Sequence, residues 1–295
     1  MAARELDDIL REVRRVQIQA RRQVNDLLSG EYASAFKGRG MEFESVREYV
    51  PGDDIRTIDW NVTARSSSTF IKTFREERES TIVLAVDISA SGAFGTSERS
   101  KLDLAIEVAA VLMFTAIRNN DKVGLLLFAD DIVRYVPPRK GRGSVLRLIR
   151  ELLTVEPIQR TTDIGRALQY LGRVHHRRCI LFVLSDFISQ EFSRDLAIAN
   201  QRHDCIAFLL RDPREESLPN VGWVAFQDAE TGEIIEMDSS SSSVRKWYAA
   251  QAKERDDRLL EIFRRAQVES LTLRTDRPYS HDLQRFFLAR ERARS

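Results

Sequence analysis

The sequence has few of the residues on which several common kinds of site depend. It contains two cysteines, Cys179 and Cys205, and four histidines among 295 residues, which is too few for a disulfide framework or a Cys/His metal cluster. Both cysteines lie in predicted buried strands, which favours free thiols in a reducing compartment. The nucleophile elbow G-x-S-x-G and the phosphate-binding loop G-x-x-x-x-G-K-[ST] are absent from the sequence. These absences argue against a serine hydrolase with a catalytic histidine and against a nucleotide-binding loop.

A long apolar run and a strong net charge are also missing. No stretch reaches the ~18 apolar residues that span a membrane, and the N-terminus is charged where a signal peptide would be apolar. The 46 basic residues nearly cancel the 45 acidic residues, which gives a formal net charge of +1. The chain as a whole therefore has no field that attracts nucleic acid or an anionic membrane. We expect a cytoplasmic protein with no nucleic-acid partner and no membrane span.

The N-terminal quarter of the chain divides into two predicted parts. In residues 1–30, apolar residues three and four apart predict an amphipathic helix over 4–28, which we expect to dock on the body of the protein. Residues 31–79 contain glycine-rich turns and short alternating segments, which predict a small antiparallel β-subdomain. Its three strands are predicted near 42–49, 57–64 and 69–76.

The largest part, residues 80–295, alternates continuous apolar strands with helices. Runs without polar residues are typical of strands that are buried on both faces of a parallel sheet. The strands are predicted near 81–86, 123–128, 180–184 and 206–210, with an edge partner at 132–136. This alternation predicts an α/β fold with a doubly wound, mostly parallel, Rossmann-like sheet and helices on both faces.

Oxygen-bearing side chains are predicted at the edge of this sheet where ligands usually bind. Asp87, Ser89 and Ser91 follow the first buried strand, Thr162 precedes a helix, and Asp186 follows a later strand. In a doubly wound sheet, the loops at the carboxyl ends of neighbouring strands converge. Small, hard oxygen ligands suit Mg²⁺, with Mn²⁺ or Ca²⁺ as alternatives, better than they suit zinc or copper.

The D-x-S-x-S spacing, with a threonine and an aspartate further along, resembles the metal-ion-dependent adhesion site of von Willebrand factor type A (vWA) domains. The resemblance matches Asp87, Ser89, Ser91, Thr162 and Asp186 in chain order and implies that they hold a divalent cation. It also implies that an acidic residue of a protein partner completes the coordination. One position departs from the pattern, because Arg160 stands where the family often has glycine.

Two other interpretations of the same residues remain open. Asp87 and the serines could simply cap the following helix, a role common for these residue types, and Asp163 is expected to cap its own helix. Alternatively, Asp87 could serve a metal-dependent hydrolase or phosphatase as its nucleophile. The haloacid-dehalogenase pattern, however, requires a second aspartate where Ser89 stands.

Polar and aromatic residues of the predicted β-subdomain form a second candidate surface for a partner. Turn formation and internal ion pairs that orient the subdomain are the simpler explanation of the same residues, and we favour that explanation. The candidate residues are Arg47, Asp53, Asp54, Arg56, Asp59, Trp60 and Arg65.

This region also carries a longer pattern: Gly38-Arg39-Gly40-Met41-Glu42-Phe43, then Val46-Arg47-Glu48-Tyr49-Val50-Pro51-Gly52-Asp53-Asp54-Ile55-Arg56-Thr57-Ile58-Asp59-Trp60, and Ala64-Arg65. The pattern resembles the signature of the bacterial family called domain of unknown function 58, in which it precedes a vWA core. Members are typically encoded beside MoxR-type AAA+ ATPases. The resemblance therefore implies a non-enzymatic adaptor that works with such an ATPase in assembling, folding or activating other proteins.

Overall fold

The chain forms two units in the computed structural model, which describes residues 13–20, 41–76, 79–95, 99–156, 161–189, 191–227 and 234–294. One unit comprises Met1–Ala35 together with Thr81–Ser295, and the other comprises Phe36–Ser80. Within the predicted N-terminal helix, residues 13–20 are helical, and Val16 and Ala20 are buried. The rest of that prediction, and the Gly38–Gly40 part of the signature, lie outside the described residues.

The smaller unit contains a two-stranded antiparallel sheet. Its strands are β1 (Met41–Glu48) and β2 (Phe70–Glu76). The chain between them forms a short 3-10 turn, Ile55–Thr57, and a single helical turn, α1 (Trp60–Thr63).

The third strand predicted near 57–64 is therefore wrong. The side chain of Asp54 accepts a hydrogen bond from the backbone N–H of Arg56, and Asp59 accepts from the first backbone N–H groups of α1. These aspartates start helical turns, so their alternation with apolar residues does not come from the two faces of a strand. Within 57–64, Ile58 alone makes a β-bridge, with Ile71.

The larger unit is built on a six-stranded sheet that confirms the predicted doubly wound, mostly parallel architecture. The strands of this unit are β3 (Thr81–Asp87), β4 (Lys122–Phe128), β5 (Ile132–Arg139), β6 (Ile180–Ser185), β7 (Asp204–Arg211), β8 (Trp223–Gln227), β9 (Ile234–Asp238) and β10 (Glu269–Arg274). The six strands of the sheet are ordered β10-β7-β6-β3-β4-β5, and all neighbours are parallel except β5, which is antiparallel to β4. The other two strands, β8 and β9, pair with each other in antiparallel orientation.

Helices cover both faces of this sheet. They are α2 (Lys101–Arg118), α3 (Arg142–Thr154), α4 (Ile164–Val174), α5 (Ser193–Arg202), α6 (Pro213–Glu216), α7 (Ser242–Arg265) and α8 (Ser280–Arg294). Val83 and Ala85 of β3 belong to a core cluster that includes buried residues from helices α4, α5 and α7, whereas their neighbours Ile82 and Leu84 face the opposite side. Helix α2 packs against β3 and β4, and α8 packs against β10. In the described part of the chain, no helix is both long and apolar enough to cross a membrane.

Candidate metal centre

The five residues predicted to hold a cation lie at one edge of the six-stranded sheet. Strands β3 and β6 are parallel neighbours, so their carboxyl ends lie side by side. Asp87 is the last residue of β3, and Asp186 directly follows β6. Thr162 lies in the segment that leads into α4.

Asp87 is at the centre of the hydrogen bonds in this cluster. Its Oδ1 accepts from the backbone N–H of Ser89 at 2.9 Å, and its Oδ2 accepts from the Ser185 hydroxyl at 2.6 Å. The Thr162 hydroxyl lies 3.2 Å from the same Oδ2. Asp87, Ser89 and Thr162 are all buried. Both oxygens of the central carboxylate are thus held in place by neighbouring donors.

The two serines connect Asp87 to the second carboxylate. Their hydroxyl oxygens, Ser89 Oγ and Ser91 Oγ, are 3.0 Å apart, and the Ser91 side chain is one of the groups near Asp186 that help to lower the pKa of that carboxyl. The structure therefore brings all five predicted residues together. The contacts join residues that are far apart in the sequence, since Asp87 and Thr162 are separated by 75 residues.

The loop after β6 is fixed in an unusual backbone conformation. Phe187 has a positive φ of 57°, and its ring is buried against Phe263 with ring centroids 5.0 Å apart. The backbone N–H of Phe187 donates to Ser185 Oγ at 2.9 Å, and that of Ile188 donates to Asp186 Oδ1 at 3.0 Å. Core packing and two hydrogen bonds together hold Asp186 in a defined orientation.

Helix capping does not explain the residues after β3. The cap of α2 is Ser100, which forms a capping box with Asp103. Ser89 precedes a 3-10 turn, Ala90–Ala93, but its side chain makes no capping hydrogen bond there. The capping interpretation is therefore wrong for this loop, whereas the predicted cap at Asp163 is confirmed by its 2.8 Å hydrogen bond from Arg166 N–H.

Lys101, the first residue of α2, is a further member of the cluster. Its Nζ donates to Asp186 Oδ2 at 2.6 Å and to Glu215 Oε1, on α6, at 2.5 Å. Its side chain is 1% exposed. A buried ammonium is costly unless it is paired, so these two carboxylates are what make the burial of Lys101 tolerable.

Burial and the neighbouring charges have opposite net effects on the two aspartates. Burial, together with the negative charge of Asp186, raises the pKa of Asp87 to about 6. Burial also opposes ionisation of Asp186, but the ammonium of Lys101 outweighs it and holds the pKa of Asp186 below its ordinary value. Burial likewise disfavours the charged form of Lys101, but Asp186 and Glu215 reverse this and raise its pKa.

The donor chemistry of the cluster fits a hard cation. Two carboxylates and three hydroxyls supply oxygen atoms only, as Mg²⁺ and Ca²⁺ prefer. Across the described ranges, no group of three or more His, Cys, Asp or Glu side chains is placed to hold a metal. Arg160, the departure from the vWA pattern, lies outside the described residues.

Lys101, Ser185 and Glu215 were not predicted from the sequence. For Lys101 a signal existed, since the first turn of a helix favours acidic residues, and a lysine there needs a partner outside the helix. Ser185 directly precedes Asp186 but appears in the sequence as the end of an apolar strand. Glu215 forms a capping box with Asp212 at the start of α6, so its pattern is explained by the helix start and gives no signal of a distant partner.

The second candidate surface, in the smaller unit, separates into two sets of residues. Arg47 and Asp53 form a two-fold hydrogen-bonded ion pair with distances of 2.6 and 2.8 Å, while Asp54 and Asp59 cap helical turns. These four residues support the fold of the unit, as turn chemistry predicts. Arg56, Trp60 and Arg65 are exposed, and Trp60 is 69% exposed.

The sheet order, with one antiparallel edge strand and an aspartate–serine loop after an interior strand, defines a vWA-like protein. A family model described as "Protein of unknown function DUF58" matches residues 45–258, so the chain belongs to this family.

Relatives and solved structures extend the comparison. Rv1480 of Mycobacterium tuberculosis, a protein described as uncharacterized, is 32% identical over 283 residues, which cover 95% of this chain and 89% of the relative. YeaD of Bacillus subtilis is 24% identical over 182 residues, which cover 60% of this chain and 42% of YeaD. BatB from Bacteroides thetaiotaomicron has a TM-score of 0.46 at 17% identity, covering 73% of this chain and 100% of its own. Proximal thread matrix protein 1 from the mussel byssus, solved with a zinc-occupied MIDAS motif, has a TM-score of 0.35 at 16% identity, covering 45% of this chain and 38% of its own.

Proposed function

We propose that this protein is a cytoplasmic, non-enzymatic protein-interaction module whose binding depends on a divalent metal ion. The observation that carries the proposal is the convergence of two carboxylates and three hydroxyls from three separate loops. Asp87, Ser89, Ser91, Thr162 and Asp186 would hold the cation, with Mg²⁺ as the first choice. When bound, the metal supplies an open coordination position for a carboxylate of a partner protein.

The chain's own residues around the site suit a protein partner. Ser91 is partly exposed, and two apolar side chains adjoin the site, Phe94 and Ile188, each 38% exposed. The Lys101 Nζ lies 5.9 Å from the Phe94 ring centroid, and the Ile188 backbone bonds Asp186. An acidic residue surrounded by apolar groups on the partner would match this surface.

The family resemblance supports one class of partner. The resemblance to proteins encoded beside MoxR-type AAA+ ATPases supports such an ATPase as the partner, with assembly or activation of client proteins as the outcome. The exposed set Arg56, Trp60 and Arg65 of the smaller unit would provide a second contact surface.

The hydrolase alternative is less well supported. Asp87 is 6% exposed, and both its oxygens accept hydrogen bonds, so a phosphorus atom has poor access to it as a nucleophile. Turnover of a simple phosphoester that Asp87→Asn abolishes would favour the hydrolase over the interaction module.

Thermal denaturation in increasing Mg²⁺ tests the metal site. A ligand that binds only the folded state stabilises it by about 2.7 kcal/mol at 100 times its dissociation constant. We expect the Tm of the wild type to rise with Mg²⁺, and we expect Asp87→Ala and Asp186→Ala to remove the rise.

Asp163→Ala is the matched control, because it removes a nearby carboxylate that caps α4. It should lower the free energy of unfolding by about 1 kcal/mol in all conditions, and with it the Tm. The rise in Tm with Mg²⁺ should remain. If the Tm of the wild type does not change with Mg²⁺, Mn²⁺ or Ca²⁺, the metal site is excluded.

A further inference from the structure

Lys101 places a positive charge inside the candidate metal centre. It is 1% exposed, and its ammonium contacts Asp186 Oδ2 at 2.6 Å. It lies at the first position of α2, where the helix dipole favours negative groups and opposes a cation. Neither helix formation nor solvation accounts for a lysine at this position, so its contacts with the carboxylates must do so.

Asp186 already has a partner on each oxygen. Oδ1 accepts from the Ile188 backbone at 3.0 Å, and Oδ2 accepts from Lys101. A divalent cation bound by Asp186 would therefore share a carboxylate with an ammonium group. Two cations on one buried carboxylate repel each other, and the low dielectric of a buried site strengthens that repulsion.

Glu215 gives the ammonium a second partner outside the cluster of five oxygen donors. The Lys101 Nζ lies 2.5 Å from Glu215 Oε1, and the Glu215 side chain is 13% exposed. Helix α6, which carries Glu215, is tied to α7 by a 3.0 Å hydrogen bond from the Tyr248 hydroxyl to the Arg214 carbonyl. Glu215 can thus hold the Lys101 ammonium when Asp186 binds another cation.

We propose that Lys101 is a built-in competitor of the metal ion at Asp186, and that Glu215 sets the strength of this competition by holding the ammonium. The inference rests on the proposed metal-dependent function, and it assigns the residues that tune the metal affinity. In the metal-free protein, Lys101 neutralises Asp186 and keeps the site folded. With a cation bound at Asp186, Glu215 would be the carboxylate that holds the Lys101 ammonium.

Two substitutions should change the Mg²⁺ affinity in opposite directions. Lys101→Met keeps the length of the side chain and removes its charge, so the dissociation constant for Mg²⁺ should fall by about tenfold or more, which corresponds to about 1.4 kcal/mol. Glu215→Gln leaves the ammonium with Asp186 as its one carboxylate, so the dissociation constant should rise by about threefold to tenfold. Isothermal titration calorimetry of chelator-treated full-length protein with MgCl₂ measures both.

Control variants separate this local effect from a general change in charge. Glu216→Gln removes the neighbouring acid, which pairs with Arg274, and Lys246→Met removes an exposed lysine. Both should leave the dissociation constant within about twofold of the wild type. In the Lys101→Met background, Glu215→Gln should have no more effect than Glu216→Gln, because Glu215 acts through Lys101.

The stability of the metal-free protein gives a second measurement. In EDTA, Lys101→Met should have a lower Tm than the wild type, because it leaves Asp186 buried without its counter-charge. Saturating Mg²⁺ should restore much of that loss. If Lys101→Met does not fold, the rise in dissociation constant of Glu215→Gln tests the competition by itself.

The outcomes distinguish this inference from the proposed function. If the wild type binds Mg²⁺ and Lys101→Met binds it no more tightly, the competition is refuted and the metal site stands. If Lys101→Met binds Mg²⁺ and the wild type does not, the competition is supported and metal-dependent binding by the native chain is refuted. If neither protein binds Mg²⁺, both are refuted.

Discussion

Asp87 combines deep burial with two hydrogen-bonded oxygens, and this makes its protonation a sensitive test of the site. Burial and the charge of Asp186 raise its pKa from 3.8 to about 6, so the folded protein binds this proton more tightly than the unfolded chain does. The resulting contribution to metal-free stability is complete below the unfolded pKa and is lost as the pH rises through the folded one.

We therefore predict that the stability of the wild type in EDTA, taken relative to Asp87→Asn, falls as the pH rises from about 4 to about 6. The asparagine variant resembles the protonated carboxyl and does not titrate, so the difference isolates Asp87. Thermal denaturation of both proteins across this range measures it. A difference that does not change with pH would mean that folding does not raise the pKa of Asp87.

Magnesium should reverse the trend, because a proton and a metal ion compete for the same carboxylate. We predict that the rise in Tm produced by a fixed Mg²⁺ concentration shrinks below about pH 6. An Mg²⁺ effect of equal size at pH 5 and pH 7, by the same denaturation measurement, would place the metal away from Asp87.

At the scale of single residues, the sequence predicts the oxygen donors of the candidate metal centre but does not predict the Lys101 ammonium group beside them. The D-x-S-x-S spacing marks three neighbouring residues, and the strand–helix alternation places Thr162 and Asp186 at the same edge of the sheet. Lys101 reaches Asp186 across 85 residues and Glu215 across 114. Such pairings depend on the tertiary fold that brings Lys101 to both carboxylates, which no local pattern encodes.

Among the secondary-structure elements, the junction of β4 and β5 has little space to spare. A Cβ atom built on Gly124 would lie 2.9 Å from ring atoms of Pro138, whereas one built on Gly143, near the start of α3, would meet nothing within 4 Å. Because the proline ring is rigid, Gly124→Ala should destabilise the protein by about 1–3 kcal/mol.

Gly143→Ala is the matched control and should be neutral or stabilising by up to about 1 kcal/mol, since alanine favours a helix. Urea denaturation of the two variants and the wild type measures the difference. Equal stability of Gly124→Ala and the wild type would show that the edge strand β5 can move away from β4 without loss.

Removing the cap of α1 tests whether Asp59 has a structural role or a binding role. Its Oδ1 accepts from the backbone N–H groups of Asn61 and Val62 at 3.0 and 3.2 Å. Asp59→Ala should destabilise this turn by about 1 kcal/mol, and Asp59→Asn, which retains an oxygen acceptor, by less.

Hydrogen exchange of the Asn61 and Val62 amides reports the loss of the cap directly. If Asp59→Ala leaves exchange unchanged and weakens partner binding, Asp59 belongs to the binding surface, and its capping role is minor.

A comparison of strand β3 with segment 57–64 shows why the larger unit is easier to predict from sequence than the smaller one. In β3, every residue from Ile82 to Asp87 is buried, and a continuous apolar run of this kind has one common explanation. The segment 57–64 alternates polar and apolar residues, a pattern that fits a half-buried strand or successive capped turns. The hydrogen bonds of Asp54 and Asp59 decide for the turns, and the sequence does not show where those bonds go.

For the whole molecule, the two candidate surfaces belong to different units of the chain. The metal centre lies in the larger unit, and the exposed Trp60 lies in the smaller one. Interactions at separate sites without shared contacts usually contribute additively to binding. If both surfaces contact one partner, the metal-dependent and metal-independent parts of the affinity should therefore be separable by mutation.

We predict that Trp60→Ser weakens binding to a MoxR-type AAA+ ATPase by about tenfold or more in both Mg²⁺ and EDTA, since exposed tryptophans are frequent anchors of interfaces. Asp186→Ala should remove the difference between Mg²⁺ and EDTA, and the double variant should combine the two losses. Biolayer interferometry with the purified ATPase measures the affinity of the wild type and of each variant in both conditions. Trp247→Ser, which removes a tryptophan of α7 that is 54% exposed, is the matched control and should bind like the wild type. Loss of the Mg²⁺ effect in Trp60→Ser would show that the two surfaces do not contribute independently. If Trp60→Ser binds as tightly as the wild type, Trp60 does not belong to the interface.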